Sequence, residues 1–201
     1  GGLTPYSYSV VSGGGSVSAV TGVYTAPGAP GSATVRVTDA LGQTANATVT
    51  INAALAISPA TPSVILGGSV SFSASGGTSP YSYAMVSGGG SVNSSTGAYA
   101  APGTSGAAVV RATDSIGNTA DASVTIVGPV SISPASITLA VGAGNSFGAS
   151  GGLTPYVFSV QSGGGSINSS SGAYTAPGAS GAAVVRVTDA LGQTSDSNVT
   201  I

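Results

Sequence analysis

Three kinds of residue in this sequence could take part in chemistry: a glycine cluster, an aspartate and an arginine, each present in three copies. The glycines lie in SGGGSV at residues 12–17, which returns at 87–92 and, as SGGGSI, at 162–167. Glycine-rich loops bind phosphate when a lysine and a helix N-terminus follow them. Neither is predicted here, so a tight turn between strands is favoured over a ligand loop. The predicted turn glycines are Gly13, Gly14, Gly15, Gly88, Gly89, Gly90, Gly163, Gly164 and Gly165.

The aspartates each begin the pattern D-x-x-G-x-T, at Asp39, Asp114 and Asp189. An aspartate at the head of a hairpin accepts bonds from backbone N–H groups, and the glycine three residues later closes the turn. The alternative is calcium, which takes about six to eight oxygen ligands, usually from several carboxylates. Each aspartate is joined at most by Asp121 or Asp196, so the turn is favoured and calcium is the weaker alternative.

The only cations are Arg36, Arg111 and Arg186, at the same position of each copy. Alternation places them on the solvent face between inward-pointing Val or Ala residues. Pairing with a nearby aspartate is the favoured interpretation, and an exposed pair contributes only about 0–1 kcal/mol. The alternative is a contact with a neighbouring domain or chain.

Composition excludes several functional classes. Of the 201 residues, 3 are Lys or Arg and 5 are Asp or Glu, and the chain has neither His nor Cys. Electrostatic binding to nucleic acid or to anionic lipid needs clustered Lys and Arg. Without His, Lys or Cys, nothing activates the many hydroxyl groups for catalysis, so we expect neither enzymatic activity nor a cofactor. Ser, Thr, Gly or Pro interrupts every apolar run, so no membrane-inserted helix is expected.

Tyrosines and asparagines are weaker candidates. The tyrosines of TG-x-Y are predicted to pack their rings while their hydroxyls bind backbone. The tyrosines that follow proline are predicted to pack as well, and a sugar-binding platform is the alternative. Four asparagines begin N-x-S/T triplets, which arise by chance in a chain this rich in Ser and Thr. In that order, these residues are Tyr24, Tyr99 and Tyr174; Tyr6, Tyr81 and Tyr156; Asn46, Asn93, Asn168 and Asn198.

All of these residues belong to an internal repeat of 75 residues without insertion or deletion. GGLTPYSYSV at residue 1 returns as GGTSPYSYAM at 76 and GGLTPYVFSV at 151. A repeat of this length suits a small domain and is too long for a solenoid coil. We therefore predict three domains: a partial repeat at 1–51 and full repeats at 52–126 and 127–201. The full repeats share an opening, from Leu55 and Val130, that the first one lacks.

Within a repeat, apolar residues alternate with polar ones, as in Val70, Phe72 and Ala74. Such alternation, bounded by Gly, Pro, Asn and Asp, is typical of half-buried strands. Six or seven short strands per repeat predict an all-β protein of tandem antiparallel β-sandwiches. Asn145 occupies the place of Val70 and should either form a hydrogen bond inside or mark a strand edge.

The motifs GG-x-x-PY, TG-x-Y-x-APG and TD-x-x-G-x-T, in this order over nearly the whole chain, resemble the bacterial immunoglobulin-like repeats of large secreted and surface proteins. This resemblance implies seven-stranded sandwiches strung in tandem as a stalk, spacer or adhesive fibre. It implies no shared catalytic residue.

The favoured function is a structural segment of a long extracellular or cell-surface bacterial protein. A surface with few charges favours self-association or packing against neighbouring repeats. The short joints at 51–55 and 126–130 predict a semi-rigid rod. One alternative is an adhesive module that binds glycan or host protein through the loops Gly76–Pro80 or Ser87–Gly90. A phage tail or decoration protein is another.

The first repeat begins after the two strands that Leu55–Ser75 supply to the second. Residues 1–51 are therefore expected to expose core and an unpaired edge. We expect the covering strands to come from residues upstream, together with a targeting signal, which is the simpler choice; strand donation by a neighbouring chain is the alternative.

Overall fold

The computed structural model describes all 201 residues, and its regular secondary structure consists of β-strands. It contains no helix long and apolar enough to cross a membrane. The chain forms two compact units. The first comprises Gly1–Ala56, Ala74–Tyr81 and Ala112–Ala120; the second comprises Ile57–Ser73, Ser82–Arg111 and Asp121–Ile201.

The strands follow the repeat of the sequence. Residues 1–51 contain β1 (Ser7–Ser12), β2 (Ser16–Val17), β3 (Tyr24–Thr25), β4 (Gly31–Thr38) and β5 (Thr44–Ile51). The next stretch contains β6 (Ala56–Ser58), β7 (Ser63–Ile65), β8 (Ser69–Ser71), β9 (Ser73–Ser75), β10 (Ser82–Ser87), β11 (Ser91–Val92), β12 (Ala98–Ala100), β13 (Gly106–Thr113) and β14 (Thr119–Val127). The last contains β15 (Val130–Ser133), β16 (Ser136–Thr138), β17 (Gly144–Ser146), β18 (Gly148–Gly151), β19 (Val157–Ser162), β20 (Ser166–Ile167), β21 (Ala173–Thr175), β22 (Ala182–Thr188) and β23 (Thr194–Thr200).

In the first unit, β1, β4 and β5 form an antiparallel sheet in the order β1-β4-β5, and β2 pairs with β3. A bulge between Val10 and Ser12 interrupts the β1–β4 register. Among the hydrophobic residues of 1–51, Ala33 is buried, whereas Val35 and Val37 on the same strand are only half-buried.

In the second unit, residues 130–201 form a two-layer sandwich. One layer is the sheet β16-β23-β22-β19, and the other contains β15-β18 and β17-β21-β20. Val185 and Val187 from the first layer share a core with Ile132, Phe147 and Tyr174 from the second. The rings of Phe147 and Tyr174 meet edge to face at 6.0 Å, a geometry that aromatic pairs prefer.

The alternation read from the sequence is present in these strands. Val110 and Ala112 are fully buried, while Arg111 between them is half-exposed. Phe72 is buried between the exposed Ser71 and Ser73. Side chains of successive strand residues point to opposite faces, and only one face of each sheet meets the core.

Two features differ from the sequence prediction. Residues 52–126 and 127–201 each hold nine short strands instead of six or seven. Two segments of each repeat are divided between sheets: the opening segment, as β6 and β7 or β15 and β16, and the segment that changes partner at Phe72 or Phe147. The sheets are also not wholly antiparallel: β7 lies parallel to β14, and β16 lies parallel to β23. Parallel pairing requires a long connection, and the intervening sandwich strands provide it.

Asn145 lies on β17, at the edge of its three-stranded sheet, opposite Tyr174. Its Nδ2 atom is buried and has no hydrogen-bond partner. Of the two outcomes expected for this residue, the strand edge is observed and the internal hydrogen bond is absent.

Candidate functional sites

Each glycine cluster connects two strands that belong to different sheets. In the second copy, Gly88–Gly90 connects β10 to β11, and Gly88 and Gly90 have φ angles of 82° and 99°. L-residues rarely adopt this left-handed region, which glycine enters without steric cost. The clusters at Gly13–Gly15 and Gly163–Gly165 hold the same position before β2 and β20.

The tyrosine of TG-x-Y holds the middle glycine of each cluster. The Tyr99 hydroxyl donates to the carbonyl oxygen of Gly89 at 2.7 Å, and the Tyr174 hydroxyl donates to that of Gly164 at 2.9 Å. Tyr24 makes the same bond to Gly14. The acceptor lies ten residues before the tyrosine in every copy, so the two motifs form one structural device.

Close packing explains why all three positions are glycine. A Cβ atom on Gly88 would lie 2.2 Å from the backbone oxygen of Ala107. A Cβ on Gly89 would approach the ring of Pro102 to 2.8 Å, and one on Gly90 would meet the Tyr99 hydroxyl at 2.6 Å. The neighbouring strand, the APG segment and the tyrosine therefore each occupy the space of one side chain.

The tyrosine that makes this bond is a packed residue. Tyr99 and Tyr174 are 1% and 2% exposed, and burial raises the pKa of each phenol above its ordinary value of 10.0. A neutral phenol is a donor at physiological pH, as the carbonyl contact requires. The cluster thus acts as a fixed turn in this structure.

The aspartates connect two further motifs, TD-x-x-G-x-T and GG-x-x-PY. Asp114 Oδ1 accepts the N–H groups of Ile116 and Asn118 in its own hairpin, and its Oδ2 accepts the N–H of Thr78 at 2.9 Å. Thr78 belongs to the GG-x-x-PY segment, 36 residues earlier. A Cβ atom on Gly77 would lie 2.5 Å from Asp114 Oδ2, which accounts for the second glycine of that motif.

The other two aspartates repeat this geometry. Asp39 Oδ2 accepts from the N–H of Leu3 at 3.0 Å, and Asp189 Oδ2 accepts from that of Leu153 at 2.9 Å. No group of three or more His, Cys, Asp or Glu side chains is placed to hold a metal ion. The oxygens of the three calcium candidates instead bind N–H groups of the chain.

These bonds shift the acidity of the aspartates. The N–H of Leu3 is the largest influence on Asp39 and lowers its pKa below 3.8. Burial acts to raise the pKa of Asp114 and of Asp189, but several hydrogen bonds outweigh it, and both pKa values are lowered. Hydrogen bonds to the charged form stabilise that form.

The arginines pair across neighbouring strands. Arg111 binds Asp121 through two hydrogen bonds of 2.7 Å, and Arg186 binds Asp196 in the same way at 2.6 and 2.7 Å. Arg36 has Asn46 in the corresponding place, which accepts one hydrogen bond at 3.0 Å. Contact of these arginines with a neighbouring domain or chain stays a prediction.

The weaker candidates also have partners within the chain. The Tyr81 hydroxyl donates to the carbonyl of Gly76, and Tyr156 does so to Gly151. Tyr6 is more exposed and donates to Gly2. The side-chain Oδ1 atoms of Asn93 and Asn168 accept backbone N–H groups in the turns before β12 and β21.

A cleft with a volume of about 770 Å³ lies within the first unit. It is lined by the end of β5 and the following residues, by the Gly77–Thr78 loop and by the hairpin from Ile116 to Thr119. Its lining includes no charged side chain, and Asn52 Nδ2 donates to Thr78 Oγ1 at 2.8 Å at one side. The cleft offers neutral polar groups, of the kind that bind sugars or peptide backbone.

Sequence reasoning missed the acceptors and donors on the backbone. It identified Tyr99 and Asp114 but not their partners, the carbonyl of Gly89 and the N–H of Thr78. The available signal was the constant distance between motifs, ten residues in one pair and 36 in the other.

Comparison with known proteins yields no family: no protein-family model and no curated protein matches the chain. Among solved structures, the chain aligns with a C-terminal 282-residue fragment of intimin, crystallised with the intimin-binding domain of the translocated intimin receptor, at 16% identity and a TM-score of 0.47. That alignment covers 84% of this chain and 56% of the fragment, so the chain spans little more than half of its length.

Two cadherin structures align over more of the chain. Drosophila N-cadherin EC1-4 gives 15% identity and a TM-score of 0.33, with 98% of this chain and 66% of that one covered. Mouse cadherin-23 EC22-24 gives 14% identity and a TM-score of 0.33, with 97% and 85% covered.

Proposed function

We propose that this chain is a load-bearing spacer in a long extracellular or cell-surface bacterial fibre or adhesin stalk. In this proposal it consists of tandem immunoglobulin-like β-sandwiches, with full domains at 52–126 and 127–201 and a partial one at 1–51. Its role is mechanical and not catalytic, and it uses no cofactor.

The observation that carries this proposal is the parallel pairing of β16 with β23. Ile137 lies opposite Val199, and the bonds Asn198 N–H to Ala135 O and Leu139 N–H to Thr200 O flank the ladder at 3.1 and 2.8 Å. β16 is close to the start of residues 127–201, and β23 is at their end. Tension along the chain therefore pulls two parallel strands in opposite directions and loads their hydrogen bonds together in shear.

The second stretch has the same arrangement. β7 lies parallel to β14, with Val64 opposite Ile126, and Thr125 N–H donates to Pro62 O at 2.9 Å. Hydrogen bonds loaded together resist more force than bonds that open one after another, because no single bond can break alone. Two consecutive stretches with this parallel pairing suit a chain that transmits force.

Hydrogen bonds that fix the turns in the same way in every copy support the same role. The tyrosine bond to the glycine turn and the aspartate bond to the GG-x-x-PY segment occur in all three copies. If one copy held a binding site, the sequence of one of its loops should differ from that of the same loop in the other copies. Uniform loops favour a part that is repeated for length.

The surface supports lateral packing. The chain has 8 charged residues, and four of them neutralise one another as the pairs Arg111–Asp121 and Arg186–Asp196. A surface with so little charge loses the repulsion that keeps soluble domains apart. We therefore propose neighbouring repeats or further copies of the same protein as partners.

Electron microscopy of the native assembly tests this proposal. We expect rods or filaments whose thickness is that of one sandwich or of a few packed side by side. Isolated globular particles would count against it, whether the protein was a phage decoration protein or a free module.

A second candidate function, adhesion to a glycan, draws on the neutral cleft of the first unit. Asn52, Thr78 and Asn118 line it, and Thr78 belongs to the loop Gly76–Pro80 that the sequence indicates. A glycan array distinguishes the two: saturable binding that Asn118→Ala abolishes would favour adhesion, and its absence would favour the spacer.

A further inference from the structure

The tip of the hairpin that begins at Asp189 is covered by residues outside the hairpin. The sequence DALGQT occurs twice, at 39–44 and at 189–194. Leu41 is 69% exposed at the tip of the first hairpin, whereas Leu191 is only half-exposed at the tip of the second. Because the six residues are identical, the hairpin alone does not explain the difference, and the cover comes from elsewhere in the chain.

The residues that cover Leu191 belong to the preceding repeat. Leu191 and five residues of β7 and the turn after it line one hollow of about 300 Å³; the five are Ser63, Val64, Ile65, Gly68 and Ser69. All six residues belong to the second unit of the chain. None is charged, and Ile65, which is 42% exposed, offers an apolar surface to the hollow.

A hydrogen bond connects the same hairpin to the joint between the two repeats. Gln193 Nε2 donates to the carbonyl oxygen of Gly128 at 3.0 Å and to Asp189 Oδ2 at 3.0 Å. The corresponding residue of the second repeat is Asn118, which is shorter by one methylene group. Its Nδ2 donates to Asp114 Oδ2 at 2.9 Å and to no residue of the preceding joint. The third hairpin is therefore held at its tip and at its base.

The joint itself is short and buried. Only Gly128 and Pro129 separate β14 from β15, and Val127 and Val130 on either side are each 6% exposed. Val130 belongs to the core of the last sandwich, while Val127 lies opposite Ile65 in the parallel pair of β14 and β7. A movement of residues 127–201 relative to the second repeat would therefore displace β7.

β7 is the strand that needs such support. It is three residues long and lies at the edge of the sheet β10-β13-β14-β7, so β14 is its only neighbouring strand. Segments with few buried contacts open more easily than the rest of a protein. A leucine that packs on β7 from the next repeat would keep this short strand closed.

We propose that the hairpin at 189–194 is a docking element that couples the folding of residues 127–201 to the parallel pair of β7 and β14. Leu191 supplies the apolar contact with β7, and Gln193 fixes the hairpin to the joint. The strand pair that resists tension in one repeat is thus stabilised by the repeat that follows it. The mechanical meaning of this coupling rests on the proposed spacer function, whereas the coupling itself is measurable in a single chain.

The test measures amide hydrogen exchange, residue by residue, in the full chain. Leu191→Ser should speed the exchange of Ser63–Ile65 and Thr125–Val127 at least about fivefold, because these amides exchange when β7 separates from β14. Leu41→Ser makes the same change in the identical hairpin, whose leucine lies away from β7. It should alter the exchange of those amides by less than about twofold.

A second variant is expected to strengthen the contact. Leu191→Phe places a larger apolar side chain beside a hollow with room for it, so the exchange of the same amides should slow at least about twofold. Leu41→Phe should leave them unchanged. The amides of β22 and β23 report whether residues 127–201 stay folded in each variant, which separates loss of docking from unfolding of the last sandwich.

The proposal is overturned if exchange at β7 is the same in the parent, Leu191→Ser and Leu191→Phe. It is also overturned if Leu41→Ser speeds that exchange as much as Leu191→Ser does. Rods in electron micrographs together with unchanged exchange would refute the coupling and leave the spacer function standing. Globular particles together with the expected exchange would refute the spacer function and leave the coupling standing.

Discussion

The Tyr99 hydroxyl donates to the carbonyl oxygen of Gly89 at 2.7 Å, and this bond converts a flexible glycine run into a fixed turn. The same pair occurs as Tyr24 with Gly14 and as Tyr174 with Gly164. Because the tyrosine ring also packs in the core, the turn and the sandwich are coupled.

Replacing Tyr99 with Phe tests this coupling. The change keeps the ring but leaves a turn carbonyl without its donor, and we expect the free energy of unfolding of residues 52–126 to fall by about 1–2 kcal/mol. Tyr83→Phe is the control, since Tyr83 is buried without a hydroxyl bond. Hydrogen exchange resolved along the chain measures both, and an equal effect of the two changes would contradict the coupling.

The glycine turn makes a second prediction. Gly88→Ala places a Cβ atom 2.2 Å from the Ala107 oxygen at a φ of 82°, so the unfolding free energy should fall by more than about 2 kcal/mol. Gly103→Ala meets nothing within 4 Å and should change it by less than about 0.5 kcal/mol. Thermal unfolding of both variants decides the matter, and a tolerated Gly88→Ala would show that the turn is not constrained.

The aspartates predict how stability depends on pH. The folded-state pKa values of Asp114 and Asp189 lie below 3.8. Their contribution is therefore complete above the unfolded pKa of about 3.9 and is lost as the pH falls through the lower folded values. Melting temperatures should be flat near neutral pH and should fall in this acid range.

Asp189→Asn checks that assignment. The variant should melt earlier than the parent at pH 7, and the difference between the two should shrink as the pH falls below about 4. Asp196→Asn is the control variant. The pKa of Asp196 is lowered chiefly by the Arg186 side chain, so this variant measures the acid sensitivity that arises from an exposed ion pair. A constant difference between parent and Asp189→Asn at every pH would contradict the role given to this carboxylate.

Ser197 predicts a gain in stability. It is fully buried, its hydroxyl has no partner, and the equivalent residue of the second copy is the buried Ala122. Ser197→Ala should raise the free energy of unfolding by about 1 kcal/mol, since an unpaired hydroxyl is costly to bury. Ser195→Ala should lower it, because Ser195 Oγ accepts the N–H of Ile132. Chemical denaturation measures the two, and destabilisation by Ser197→Ala would reveal an unseen partner.

Much of this fold follows from local pattern. The alternation around Arg111 predicts which side chains are buried, and the D-x-x-G-x-T pattern predicts the hairpin turn at Asp114. These features depend on residues close together in the chain. The change of partner at Phe147 and the parallel pairing of Ile137 with Val199 depend on contacts between distant segments, which no local period encodes.

The candidate sites show the same division. Their side chains were identifiable from type and spacing, but their partners are backbone groups that every residue carries. Arg36 illustrates a further gap: its position predicts an acidic partner, yet the neighbouring strand offers Asn46 in place of the aspartate found in the other two copies.

Stretching single molecules between Gly1 and Ile201 tests the mechanical role most directly. The parallel pairing of β7 with β14 and of β16 with β23 predicts two strong unfolding events. Each should release about 230 Å of chain, because 75 residues at about 3.6 Å extend to about 270 Å and the folded domain is about 40 Å long. Residues 1–51, whose β5 has no parallel partner, should extend at low force. A single event, or strong resistance from residues 1–51 alone, would contradict the proposal.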